Sequence, residues 1–157
     1  MARRHIGTCR WQEAHRSFGL NHYSTRWYTD APITDDPLGI KASFGDNEPR
    51  TEREDGTLIG FRGHNGHPYT VPWGFYKLLH YVSDTWTKAA QNVSGKKVPI
   101  LITENGFSGP NEGDLSAEDR VKDVRRQEYF DSYIAKLVQA REEGVVVEGY
   151  MGWSLLE

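Results

Sequence analysis

Apolar positions change period several times along the chain, and the changes mark an alternation of strands and helices. Phe18, Gly19, Leu20, Asn21, His22, Tyr23 and Ser24 predict a short strand whose β-prone residues run directly into hydrogen-bonding ones. Pro72, Trp73, Phe75, Tyr76, Leu79, Val82, Trp86 and Ala90 recur at intervals of three or four, which predicts a helix with Pro72 at its first position and a stop near Asn92 to Gly95. Val98 to Thr103 is a continuous apolar run of the kind buried on both faces of a parallel sheet. Val124, Tyr129, Phe130, Tyr133, Ile134, Leu137 and Val138 predict a long amphipathic helix, capped by Asp123 and ended at Gly144. Val145 to Val147, then Gly149 to Trp153, predict a third strand.

The order strand, helix, strand, helix, strand is α/β and implies a parallel sheet with helices packed on it. An open doubly wound sheet and part of a barrel are both allowed, and both gather chemistry where strands end and loops begin. Two stretches fall outside the alternation. Asp30 to Thr70 is crowded with Pro, Gly, Asp, Asn and charges, without a sustained period, and reads as a long excursion of the kind that is functional or disordered. Asn111 to Asp119 reads as a polar loop.

Composition narrows the classes. At 157 residues, 37% hydrophobic, with 5 Trp, 8 Tyr and 6 Phe, the chain is one domain's worth and meant to pack. Its 19 basic and 22 acidic residues leave a formal charge of −3, which gives no reason to expect nucleic acid or an anionic membrane as partner. A lone Cys9 builds neither an internal disulfide nor a cysteine-based zinc site. No stretch approaches the roughly eighteen uninterrupted apolar residues of a membrane span. The first sixteen residues hold Arg3, Arg4, Arg10 and Arg16 against Glu13 and lack the apolar run of a signal peptide. A cytoplasmic location is the expectation, and an unstructured or wrongly predicted end is favoured over a basic presequence.

The strand ends hold the candidate chemistry. Glu104, within Ile102-Thr103-Glu104-Asn105-Gly106, is the first ionisable group after a buried run. Glycosyl transfer needs a carboxylate that attacks the anomeric carbon, and a strand end holds it rigidly; taken alone, a turn acid accepting backbone N–H bonds is the commoner role. Tyr23 is expected to donate a hydrogen bond to that carboxylate from the neighbouring strand, beside Asn21 and His22. Trp153 offers a flat indole to the apolar face of a sugar, although a single aromatic is more often core. His64 and His67 are three apart, but no carboxylate or Cys stands in register with them, so the expectation is a solvated loop and no metal.

Together these segments resemble glycoside hydrolase family 1, the β-glucosidase family. Asn21 to Tyr23 match the family's Asn-Tyr/His-Tyr, Ile102 to Gly106 its Ile-Thr-Glu-Asn-Gly, and Gly149 to Leu156 its Gly-Tyr-x-x-Trp-Ser-Leu-Leu, while Asp123, Arg126 and Tyr129 match a spaced helix signature. The resemblance covers residues 18–157, leaving residues 1–17 as a non-homologous or disordered segment. It implies a partial (β/α)8 TIM barrel, about strands six to eight with two intervening helices. It implies a retaining glycosidase, without cofactor, in which Glu104 is the nucleophile, Tyr23 orients it, Trp153 walls the glycone subsite and Asn21 lines it. The ligand implied is a β-glucoside or other small β-glycoside.

Departures from the family pattern shape the expectation further. The family's proton donor lies in an Asn-Glu-Pro motif before the Asn-His-Tyr segment, whereas Asn47, Glu48 and Pro49 lie after it, in a polar loop, and read as a decoy. Strands one to five are absent, and Glu157 stands where the family usually has Asp. The fragment alone is therefore expected to be nearly inactive, poorly soluble or associated through exposed barrel edges. Two alternatives accompany the enzyme reading: a noncatalytic carbohydrate-binding or interaction protein that keeps Trp153 and Tyr23 as stacking surfaces, and a truncated gene model without a cellular role.

Overall fold

The computed structural model describes residues 17–30, 47–64, 68–110 and 112–154. The expectations for the segment before Ser17, for Cys9 and His67, and for Leu155 to Glu157 lie outside the described residues. In chain order the elements are β1 (Phe18–Asn21), β2 (Trp27–Asp30), β3 (Asn47–Arg50), β4 (Phe61–Arg62), β5 (Tyr69–Thr70), α1 (Pro72–Val82), a π-helical turn (Ser83–Thr87) and α2 (Lys88–Ser94). They continue with β6 (Ile100–Asn105), a 3-10 turn (Glu112–Asp114), α3 (Ala117–Arg120), α4 (Val124–Glu142) and β7 (Val147–Gly152).

β1, β6 and β7 form one parallel sheet in that order, with Phe18 opposite Ile100, Ile100 opposite Val147 and Asn21 opposite Glu104. Spatial order follows chain order, and α1 packs directly on α4. A doubly wound sheet reverses its strand order at a switch point and places helices on both faces. Here each unit adds to the same side of its predecessor, which is the winding of a (β/α)8 barrel segment.

One face of the sheet is sealed by the helices. Ile100, Ile102 and Val147 meet Phe75, Leu79 and Val82 of α1 and Tyr129, Tyr133, Leu137 and Ala140 of α4, all buried. The fourfold spacing along α4 stacks its buried residues on one stripe. Burial of each large side chain is worth roughly 1.5 to 3 kcal/mol. α4 ends at Glu142, two residues before Gly144, whose φ of 97° is a left-handed conformation open to glycine without a Cβ penalty.

The opposite face differs from expectation. Leu101 and Thr103 are only half-buried, and Gly19, Leu101, Thr103 and Gly149 lie side by side without a second layer among the described residues. A run apolar at every position thus has one sealed face and one open face.

Local corrections have physical reasons. The first helix runs on to Ser94, but the π turn shifts its phase, so Ser83 and Thr87 become buried while Trp86 is exposed. Asp123 makes no capping hydrogen bond; with φ 30° it turns left-handed, and its Oδ2 instead pairs with Arg126 Nε at 3.1 Å. The supposed polar loop contains α3, whose N-cap Ser116 accepts a hydrogen bond from the Asp119 N–H at 3.1 Å. The long excursion holds two small antiparallel hairpins, β2 with β3 and β4 with β5, over a cluster of Ile59, Tyr69, Val71 and Trp27.

Candidate active site

The carboxyl ends of the three parallel strands meet around Glu104. Along β1 and its extension, Phe18, Leu20 and His22 face the helices, so Asn21 and Tyr23 face the other way. Strict alternation from Ile100 and Ile102 would turn Glu104 toward the helices and Asn105 away. The register slips between Ile102 and Asn105 on the β7 side and between Leu20 and Asn21 on the β1 side. Asn105 is consequently the residue driven into the core, fully buried, and Glu104 is aimed at Tyr23. Bulges re-aim side chains in this manner.

Tyr23 Oη donates to Glu104 Oε2 at 2.8 Å, the bond expected from sequence. The backbone beneath is tied on both sides: the His22 N–H donates to the Glu104 carbonyl at 2.9 Å and the Trp153 N–H to the Asn105 carbonyl at 2.8 Å. Asn21 joins through its Oδ1, which accepts from Thr103 Oγ1 at 2.5 Å. Trp153 is 55% exposed. Its carbonyl would lie 1.9 Å from a Cβ on residue 106, so only glycine at Gly106 lets the two strand ends approach this closely.

Behind the carboxylate lies a buried polar group that sequence reasoning passed over. The Asn105 amide donates to the His22 carbonyl at 2.6 Å and to Tyr129 Oη at 2.8 Å, and its Oδ1 accepts from Tyr150 Oη. Tyr129 Oη donates in turn to the Tyr23 carbonyl at 2.9 Å. Burial pushes the Tyr129 phenol far above its ordinary range, with the neighbouring Tyr133 adding to the shift, and burial raises Tyr150 as well. Both phenols therefore stay protonated donors. The available signal was a polar Asn in a strand whose other inward residues are Ile, together with tyrosines on the facing helix and strand.

His22 does not join the site. It is buried between Phe75 and Tyr133, with ring centroids 5.2 and 5.9 Å away, and burial lowers its pKa to about 4. It is a neutral core residue at pH 7.

The excursion rims the same strand end. The His64 N–H donates to the Ser108 carbonyl at 2.9 Å, Phe61 lies 6.1 Å from Phe107, and the Arg125 guanidinium sits 4.5 Å over the Phe61 ring. Asn47, Glu48 and Pro49 belong to β3, in a two-stranded sheet rather than at the end of a parallel strand. Exposed His64 has no metal-ligating cluster around it among the described residues.

A carboxylate held by a phenol at the carboxyl end of a parallel strand, in a segment wound as a barrel, stands where (β/α)8 barrels carry their active sites. The model of glycosyl hydrolase family 1 matches residues 9–157, and the chain belongs to that family. Beta-glucosidase 42 of Arabidopsis thaliana is 37% identical over 139 residues, covering 88% of this chain and 26% of that protein. The crystal structure of a rice β-glucosidase superposes with a TM-score of 0.73 and 29% identity, covering 89% of this chain and 28% of that one. A mutant of a rice β-glucosidase in a covalent complex with Glc superposes with a TM-score of 0.72 and 28% identity, over 89% of this chain and 28% of that one. The chain spans about a quarter of the length of these relatives.

Proposed function

We propose that this chain supplies the nucleophile half of a retaining β-glucosidase site. The observation that carries the proposal is the bond from Tyr23 Oη to Glu104 Oε2 across the ends of adjacent parallel strands. In this reading Glu104 attacks the anomeric carbon of a β-glucoside and forms a glycosyl ester, while Tyr23 fixes the attacking carboxylate and Trp153 and Asn21 receive the sugar. The covalent complex with Glc formed by the rice mutant enzyme supports the ester.

Retaining chemistry also needs an acid about 5 to 5.5 Å from the nucleophile to protonate the leaving oxygen. The ends of β1 and β7 carry Asn21 and Gly152, and neither supplies one. General acid assistance contributes roughly a hundred- to ten-thousandfold, so this chain by itself should turn over β-glucosides slowly at best.

The test is chromophore release from an aryl β-glucoside by a version extended to eight strands. Glu104→Gln should lower it by at least ~10⁴-fold, the scale expected for losing a covalent nucleophile, while an activated 2-fluoroglucoside should label the peptide that contains Glu104. Labelling at another carboxylate would overturn the assignment. The exposure of Trp153 favours one second reading, noncatalytic sugar binding, under which Glu104→Gln leaves glucoside affinity unchanged and no variant turns over.

A further inference from the structure

We propose that Asn105, Tyr129 and Tyr150 act as positioning residues for the Tyr23–Glu104 pair, a relay that locates both members from the sealed side of the sheet. The inference rests on the pairing described under Proposed function and adds what holds it.

Each member of the pair is anchored at its backbone by this group. Asn105 is covalently next to Glu104, and its fully buried amide spends both donors, on the His22 carbonyl and on Tyr129 Oη. Tyr129 Oη then donates to the carbonyl of Tyr23, the residue whose phenol holds the carboxylate. Tyr150 Oη occupies the remaining acceptor of Asn105 and so fixes the amide from the third strand. One connected group therefore spans the ends of β1, β6 and β7 and one helix. A core needs no such polarity. Phenylalanine at 129 and 150 would fill nearly the same volume without burying hydroxyl groups, and a half-satisfied polar network is worse than an apolar core. Here every donor and acceptor of the Asn105 side chain is used, and the chain of bonds terminates at the catalytic candidates rather than in solvent. The register slip beside Asn105 is part of the same device, because the amide can enter the network only if Glu104 is turned outward.

The test reads the Tyr23 phenol in the 157-residue chain by NMR of tyrosine labelled with 13C at Cζ, in solution or, for an associated chain, under magic-angle spinning. Tyr23→Phe assigns the signal, and Glu104→Gln gives its position when the carboxylate is lost. Tyr129→Phe should move the Tyr23 signal most of the way to that position. Tyr150→Phe should move it less and in the same direction, and serves as the deciding variant should Tyr129→Phe fail to fold. Tyr76→Phe, which removes a phenol bonded to Glu143 and outside the Asn105 group, should leave it in place. A Tyr23 signal unmoved in the folded variants at 129 and 150 would overturn the relay, as would equal movement with Tyr76→Phe. A Tyr23 signal indifferent to Glu104→Gln would overturn the pair and the relay together. Movement as expected in this chain, with labelling away from Glu104 in the eight-stranded version, would leave the positioning inference standing and sink the catalytic reading.

Discussion

The two faces of the parallel sheet make opposite use of the same three strands. On the sealed face Ile100, Ile102 and Val147 interlock with two helices and are almost fully buried. On the open face Leu101 and Thr103 are half-buried beside Gly19 and Gly149, and the strands end in Asn21, Tyr23 and Glu104. The Tyr23–Glu104 pair sits on the loosely packed side, yet the network that ties its backbone, from Asn105 through Tyr129 to Tyr23, runs through the tightly packed one. Under the proposed relay, precision at the site is supplied from behind it, by residues on the sealed face.

If that division is real, substitutions should separate by face. Phe75→Ala removes a fully buried ring that touches His22 and Tyr133. Its expected cost is about 3 to 5 kcal/mol, read as a lowered urea midpoint, or no folded state at all. A loss near zero would mean that the sealed face is not the core.

His22 sharpens the comparison through pH. Its folded pKa of about 4 lies below the ordinary value of 6.5, so between these values the unfolded chain binds a proton that the folded chain does not. Stability is fully present above pH 6.5 and falls as pH drops toward 4, by about 3 kcal/mol over the window at 1.36 kcal/mol per unit. Urea unfolding at pH 7 and pH 4.5 should show this slope in the parent chain and a shallower one in His22→Gln. Parallel slopes would place the imidazole in water, on the open side.

Much of this division was legible in the sequence. The alternation of periods identified β1, α1, β6, α4 and β7, because burial on one stripe imposes a spacing that survives any detail of packing. The pairing of Tyr23 with Glu104 followed from placing two residues at adjacent strand ends. What escaped depended on geometry without a period. The π turn moved Trp86 outward by changing the phase of an otherwise regular helix, and β2 to β5 pair over only two to four residues each, too briefly to alternate. Asn105 escaped because parity along β6 points it outward, and only the register slip reverses this. The partner tyrosines were visible as apolar surface, their hydroxyl groups silent until a buried acceptor was in place.

Asn105→Ala asks how much the polar part of the sealed face contributes. It strands Tyr150 Oη and the His22 carbonyl, and removes one bond from Tyr129. An orphaned buried donor or acceptor costs about 1 to 3 kcal/mol, so with two of them the variant should lose well more than a surface change, up to the scale of Phe75→Ala, in urea unfolding.

The smallest effect on stability is expected at the opposite extreme, Trp153→Ala. The indole is large, and in a core its truncation would cost as much as Phe75→Ala. At 55% exposure it leaves few contacts to lose, and only its backbone, through the N–H bond to the Asn105 carbonyl, participates in the sheet. The backbone bond survives the substitution. Stability should therefore change by about 0.5 kcal/mol or less in urea unfolding, while glucoside binding by the eight-stranded version weakens for want of a stacking surface. A loss on the scale of Phe75→Ala would show the indole packed away from solvent, and with it the open face would cease to be open.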